Sequence, residues 1–233
     1  DPMALAINHI HPVAKGGPDI AKNVAPAHAI CNRQAKDNYM PAFSTWVVGP
    51  VPNVEARDVL IEKHYLHRKA NISYAYGAYD TDHNLMAVVS FGSPTSFRVV
   101  RSASDEPFTV IELNRLWIDD DAPFGLGSWF LSRALKQLPA YIVVAYADLS
   151  ITDPRYGTAH DGAIYRACSF NYAGASRPNT EWQLPGKSRN VGKHVLGSVQ
   201  VVTSPKRRFW TVTGTKADKR RLRKVCKWAT LPY

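Results

Sequence analysis

The sequence predicts an α/β protein, a mixed sheet flanked by helices behind a small N-terminal unit. Three observations predict it. Tyr141–Ala147 (YIVVAYA) is a continuous apolar run of strand length, as a strand buried on both faces requires. Ser73–Asp80 and Leu85–Phe91 are apolar stretches around Thr81-Asp82-His83-Asn84, a hairpin signal. Helical segments, Val54–His67 and Gly127–Leu138, alternate with these strands. Of the 233 residues, 45% are hydrophobic and 21% charged, so the chain buries a core and is not disordered in the main.

The elements follow in order. Residues 4–40 read as a compact unit with a turn at Lys15-Gly16-Gly17-Pro18. Residues 41–53 hold three prolines and a glycine and are expected as a linker. Val54–His67 has an irregular apolar stripe, with Asn53 as its N-cap. Val99–Asp105 is expected as a polar excursion and Phe108–Ile118 as a long strand. The helix Gly127–Leu138 is entered through Pro123-Phe124-Gly125-Leu126-Gly127. Asp161–Cys168 reads as a short helix and Phe170–Ala175 as a strand. Val195–Thr203 and Phe209–Thr213 read as strands, and Lys216–Lys227 as a basic helix. The division is therefore a module at 1–40, a linker at 41–53 and a main domain at 54–233.

Composition excludes several classes. No apolar run reaches the roughly 18 residues of a spanning helix, so no membrane partner is expected. No signal peptide is visible. Three scattered cysteines, Cys31, Cys168 and Cys226, do not make a disulfide framework, so a reducing, cytoplasmic setting is expected.

The net charge of +10 is unevenly placed. From Arg177 onward there are 14 basic residues against two acids, whereas residues 1–176 carry a net −2. Trp182, Phe209, Trp210, Trp228 and Tyr233 are interleaved with these charges. Basic residues with interleaved aromatics suit a polyphosphate backbone, so contact with nucleic acid is expected. Arg207, Arg208, Lys216, Arg220, Arg221 and Lys224 are the candidate DNA contacts.

The string NHIHPVAKGGPDIAKNVAPAHAICNRQAK resembles the HNH endonuclease motif. His9 matches its general base, Asn23 the asparagine that orients it, and Asn32 the last metal-site position. The copy departs from the pattern. Asn8 replaces an aspartate that normally holds a divalent ion, and a neutral amide is a weaker ligand for a hard cation. Of the two Cys-x-x-Cys pairs that hold structural zinc, one is His28-x-x-Cys31 and the other is missing. The first strand of the ββα unit also looks nearly absent. A degenerate module kept for DNA contact or packing is expected, rather than an active nuclease.

Gly125 and Gly127 lie between the strand 108–118 and a helix start, where backbone N–H groups and the helix dipole suit an anion. This resembles the pyrophosphate loop of GNAT-like acyltransferases. Further strings are KHYLH at 63–67, VVSFGSP at 88–94, ELNRLWI at 112–118, AYAD at 145–148, GAIYRACSFNYAGAS at 162–176 and SPKRRFWTVTG at 204–214. Together they resemble the Mom family of bacteriophage DNA-modifying proteins over about residues 54–233. The resemblance implies a GNAT-like fold, double-stranded DNA as the partner, conversion of adenine N6 in phage DNA to a methylcarbamoyl form, and protection from restriction. It implies action in the cytoplasm of the infected bacterial host. His64 and Tyr65 match an H-Y pair, Asp148 the aspartate of the Y-A-D strand end, and Tyr165 the tyrosine of the G-x-I-Y helix; these four are the candidate catalytic residues. Extra residues around Asp153-Pro154-Arg155 leave the places of Tyr156 and His160 open. Gly125, Gly127 and Ser128 would hold a coenzyme A thioester. The resemblance also implies iron, with His64 and Asp148 as candidate ligands.

The residues support this reading independently. Asp148 ends a buried strand, where open α/β sheets place ligands, although it also suits a turn cap. A tyrosine such as Tyr165 can donate a proton to a leaving thiolate, or simply fill a core. Adenine N6 lies inside the duplex, so the base must be flipped out or already single-stranded. Tyr65, Tyr74, Tyr76 and Trp117 are candidates to stack on it, or core residues. Simple acetyl transfer would not give a chain ending in a carboxamide, and the donor is not legible. Two other classes stay open: an HNH-type nuclease dependent on His9, and a DNA-binding protein without catalysis.

Overall fold

The structure is a computed structural model that describes residues 5–9, 19–28, 43–153, 158–185, 191 and 193–233. The Lys15–Pro18 turn, Cys31, Asn32 and Tyr156 lie outside the described residues. The chain forms two compact units, one of residues 1–69, 74–90 and 115–135, the other of 70–73, 91–114 and 136–233.

In the first unit, β1 (Leu5–His9) pairs antiparallel with β2 (Val24–His28), His9 opposite Val24. The first strand of the N-terminal module is thus present, against the expectation that it was nearly absent: five residues suffice for the ladder. Of segment 41–53, expected as a linker, the described part, 43–53, is structured. Phe43 is buried, its ring 5.2 Å from that of Trp46 and 5.0 Å from that of Trp129. β3 (Val47–Pro50) pairs antiparallel with β4 (Tyr74–Tyr79) at the edge of the main sheet, where its proline is tolerated.

The helix α1 runs over Asn53–Lys63. Its cap is Pro52, in an extended conformation, and Asn53 is already helical. The proline's φ of −54 suits a helix but its ψ of 135 does not, so Pro52 stands just before the first turn, which displaces the expected cap by one. Ala56 and Leu60 are the buried residues of α1, and His64 leaves helical geometry with ψ 135. β4 leads to β5 (Leu85–Gly92) through the expected turn. Asp80 Oδ1 accepts from the backbone N–H groups of Asp82 and Asn84, at 2.9 and 2.8 Å.

The main sheet has seven strands. β6 is Val110–Ile118, β7 Ile142–Asp148, β10 Asn171–Ala175 and β13 Lys206–Val212, in the order β10-β13-β7-β6-β5-β4-β3. β13 runs antiparallel to both β10 and β7, whereas β6 and β7 are parallel. The sheet is mixed and flanked by helices, as expected. Val143, Val144 and Ala145 of β7 are wholly buried, which is why its sequence is apolar without alternation. Among the described residues, two small ribbons besides the β1–β2 pair stand outside this sheet: β8 (Thr152–Asp153) with β9 (Thr158–Ala159), and β11 (Asn179–Gln183) with β12 (Val199–Thr203). β11 was not expected.

The remaining helices are α2 (Phe97–Ala103), α3 (Leu126–Gln137), α4 (Ala163–Ala167) and α5 (Lys216–Val225). α2 replaces the expected polar excursion. Ser96 caps it by accepting from the Arg98 N–H, and its Val100 and Ala103 are buried. These two residues share a core with Val110, Ile142, Trp210, Val212, Leu222 and Trp228. α5 opens with a reciprocal capping box between Thr215 and Asp218 and buries Leu222 on that core. At the entry to α4, Gly162 has φ +90, and a Cβ there would lie 2.4 Å from the Phe209 ring.

Candidate active site

The end of β7 carries Asp148, and β13 brings Lys206 directly opposite it. Asp148 Oδ1 accepts from the Ser150 N–H at 3.0 Å, the Ser150 hydroxyl at 2.6 Å and the Ser204 hydroxyl at 2.9 Å. Its Oδ2 lies 3.4 Å from Lys206 Nζ. Burial pushes the carboxyl pKa up, but the Ser150 and Ser204 hydrogen bonds and the Lys206 charge outweigh it and hold the group below its ordinary value. Asp148 is therefore a fixed anion at neutral pH. It caps the turn after β7 and faces an ammonium at once. Ser150, Ser204 and Lys206 were not singled out from the sequence. Ser204 and Lys206 sit in the SPKRR string, whose basic character hid its role beside an acid.

Tyr165 comes to the same stretch of β7. It is 3% exposed, and its hydroxyl donates to the Tyr146 carbonyl at 3.3 Å, two residues before Asp148. Its ring lies 5.3 Å from that of Phe209, 5.4 Å from Phe170 and 5.8 Å edge-on from His160. His160, whose place the sequence left open, thus stands against Tyr165, with its backbone N–H donating to the Ile151 carbonyl at 2.7 Å. The same unit holds the ladder between β6 and β7. It pairs Val110–Glu112 with Ile142–Val144, and no pairing of Leu113 or Asn114 with Ala145–Asp148 follows among these described residues.

His64 and Tyr65 belong to the first unit. His64 is buried, and its Nδ1 accepts from the Leu66 N–H at 3.2 Å, which puts the proton of a neutral ring on Nε2. The Tyr65 ring stacks on it at 4.3 Å and is itself exposed.

The iron expectation is not supported. Among the described residues no group of three or more His, Cys, Asp or Glu side chains could hold a metal ion. Asp148 spends its oxygens on two serines and faces an ammonium, which a cation would have to displace. His64 and Asp148 therefore do not make a fitting iron site, and no metal step is assigned to them.

Gly125 has φ +89, the left-handed conformation open to glycine. α3 starts at Leu126, so Gly127 and Ser128 lie in its first turn, and the Ser128 hydroxyl donates to the Gly125 carbonyl at 3.3 Å.

The six candidate DNA contacts divide. Lys216, Arg220, Arg221 and Lys224 are exposed on α5, Arg221 in a surface ion pair with Glu106 at 2.5 Å. Arg207 and Arg208 are half-buried on β13. Arg207 bonds the Tyr233 hydroxyl and lies 4.7 Å from that ring's centre. Arg208 donates to the Ala173 carbonyl at 2.9 Å and lies 5.3 Å from the Trp228 ring centre. These two arginines hold the C-terminal segment in place. Arg166 and Asp161 join them, with Arg166 over the Tyr233 ring at 3.7 Å and paired to Asp161 at 2.9 Å.

In the N-terminal module, His9 Nε2 and Asp19 Oδ1 are 2.8 Å apart and Asn8 is buried. The side chains of Asn23 and His28 lie outside what is described.

With this geometry in place, the class is defined by likeness. The sequence model of the Mom protein family matches residues 45–225, and that of HNH endonuclease matches residues 1–38. The chain belongs to the Mom protein family. It is 33% identical over 135 residues to the methylcarbamoylase mom of Escherichia phage Mu. The match covers 57% of this chain and 54% of the relative, so the chain spans about half the length of the curated relative it matches. Among solved structures it is similar to a spermidine/spermine N-acetyltransferase from Vibrio cholerae in complex with manganese ions. That likeness has a TM-score of 0.43 and 11% identity, over 78% of this chain and 97% of that one. It is also similar to a GNAT superfamily phosphinothricin acetyltransferase from Sinorhizobium meliloti in complex with AcCoA. Here the TM-score is 0.44 and the identity 10%, over 73% and 89% of the two chains.

Proposed function

We propose that this protein is a DNA-modifying transferase that acts on the exocyclic N6 of adenine in phage DNA, inside the infected host. The match to the Mom protein family across residues 45–225 carries the reading, because it spans the whole β7 end with Asp148, Tyr165, Ser204 and Lys206. The product is a methylcarbamoyl-type adduct that shields the DNA from restriction.

Gly125, Gly127 and Ser128 would hold a coenzyme A species by its phosphates. The donor carbon that joins N6 is a methylene bearing the carboxamide, because an acyl carbon joined to N6 would give an amide instead of the methylcarbamoyl adduct. The residues of this chain do the rest. The fixed carboxylate of Asp148 accepts a hydrogen bond from the N6 amine and balances the positive charge that grows on N6 as its bond to carbon forms. Lys206 and the two serines keep that carboxylate ionised and aimed. As the N6–carbon bond forms, the bond from that carbon to its leaving group breaks; the Tyr165 hydroxyl protonates the leaving group, and the proton that N6 loses restores the Tyr165 hydroxyl. The exposed cations of α5 hold the phosphates.

Mass spectrometry of DNA nucleosides from cells expressing the protein tests this. A new adenine-derived nucleoside, absent with Asp148→Ala, is expected. The contact between His9 and Asp19 favours a second reading, a nuclease. Metal-dependent nicking lost in His9→Ala, with unmodified nucleosides, would install that reading instead.

A further inference from the structure

α5 carries a row of cations, and the segment packed beside it is acidic. Lys216, Arg220, Arg223 and Lys224 recur at helical spacing and are exposed, with Leu222 buried on the opposite side. Lys227 follows just past the helix and is exposed as well. The row has a direction. α5 starts beyond Val212, which β13 sets opposite Ile142 at the start of β7. The chain after it reaches Trp228, whose ring lies 6.3 Å edge-on from that of Tyr146, two residues before Asp148. The cations therefore lead from the start of β7 toward its Asp148 end. From Lys216 to Lys224 the helix spans about 12 Å, or about three to four steps of a DNA strand.

Beside the row lies a cleft of about 290 Å³, lined by Phe97, Arg101, Ser104, Asp105, Pro107 and Lys227. α2 and the turn Pro107–Thr109 that enters β6 form its walls. The Arg101 guanidinium lies over the Phe97 ring at 4.8 Å, and both residues are exposed. Phe108, in the same turn, is 94% exposed. Two acids stand at this edge. Asp105 Oδ1 pairs with Lys227 Nζ, and Glu106 Oε2 with Arg221 Nη1. All four side chains are at least 43% exposed, so these pairs cover no core, and pairs so exposed are weak and exchange readily. A carboxylate offers a lysine or an arginine the same anionic oxygens that a phosphate does.

We propose that the side formed by α2, the turn Pro107–Thr109 and α5 is the surface on which duplex DNA docks, and that Asp105 and Glu106 stand in for two of its phosphates, holding Lys227 and Arg221 until DNA takes them over. DNA is chosen by the row of cations beside an apolar rim of Phe97 and Phe108, which suits a backbone of phosphates and sugars. The two carboxylates weaken binding to every sequence alike. Each gives up its cation to a phosphate and then stands near that phosphate with a like charge. The inference rests on the reading of the protein as a DNA-modifying enzyme and names the face that meets its substrate.

The test uses the full chain and short fluorescein-labelled duplexes of mixed sequence, titrated by anisotropy at one fixed salt concentration. Asp105→Asn with Glu106→Gln, which keep the shapes of the exposed side chains, lower the Kd by roughly threefold to tenfold. Arg101→Gln, Arg221→Gln and Lys227→Gln together raise it by roughly tenfold or more. In that triple background the two amide changes keep at most about half of their effect on log Kd, because no cation is left to release. An effect that stays whole there reflects net charge alone and overturns the exchange. A Kd that rises or does not move with the two amides makes the acids braces for the cations and also overturns it. A triple variant that binds as tightly as the wild type puts the docking surface elsewhere. Sedimentation showing a wild-type dimer that the triple variant splits would assign this side to a second copy instead. Kd values that respond as stated, with no modified adenine in any cell, keep the docking surface and refute the proposed function. Modified adenine with a Kd indifferent to all five changes does the reverse.

Discussion

Replacing Asp148 with asparagine separates the charge of this group from its shape. The amide keeps an oxygen for the Ser150 N–H and for the hydroxyls of Ser150 and Ser204, so the turn after β7 survives. Three charge-assisted hydrogen bonds become neutral ones, each weakened by about 1 kcal/mol. The pair with Lys206, itself 46% exposed, adds at most about 1 kcal/mol. The loss is about 3–4 kcal/mol, or a Tm lower by roughly 6–16 °C for a chain of this length. The difference depends on pH in a fixed direction. The folded carboxyl titrates below its ordinary 3.8, so its stabilisation is complete above that value and is lost as pH falls through the lower folded pKa. Wild type and Asp148→Asn should therefore differ in denaturant midpoint at pH 7 and converge in strong acid. Modified-adenine yield in cells should fall at least a hundredfold, because the amide places no negative charge against N6. The paired assay is thermal melting beside nucleoside mass spectrometry at a temperature where both proteins are folded. A folded Asp148→Asn with normal yield would refute the role of the carboxylate. An unchanged Tm would refute the account of its network.

Other outcomes follow from the same geometry. Neutralising Lys216, Arg220, Arg221 and Lys224 together should weaken binding to all DNA sequences and lower the slope of log affinity against log salt by about three to four, read by titration at several salt concentrations. Gly127→Glu should abolish modification while leaving the melting temperature near wild type, since a glutamate suits the first turn of α3 but repels an anion there. Full activity of the soluble variant would remove the phosphate role of that turn. Purified protein with magnesium, manganese or nickel should leave supercoiled plasmid intact on a gel, because Asn8 stands where the nuclease pattern needs an acid.

Much of the fold was legible because local rules and tertiary needs agree. The apolar run at 141–147 could only be a strand covered on both faces, and it became β7. The Asp80–Asn84 turn was readable from residues that bond their own backbone. α2 was not legible, since its stripe is only Val100 and Ala103, and Ser96 was not taken as a cap. Neither was β3, because prolines at 50 and 52 suit an edge strand as well as a linker.

The candidate site divides along the same line. The sequence by itself determined that Asp148 ends a buried strand, that Tyr165 follows it in a short helix, and that the positive charge gathers beyond Ser176. It did not determine the state of Asp148. That depends on Ser204, 56 residues later, and on Lys206, which β13 sets opposite it by antiparallel register. Nor did it divide the arginines. Arg207 and Arg208 read like their neighbours on α5, yet β13 turns them onto Tyr233, Ala173 and Trp228, where their charge serves packing. Hydrogen-bond partners far apart in sequence, and the side to which a residue points, are products of register. Register is fixed when strands meet, not within any one of them.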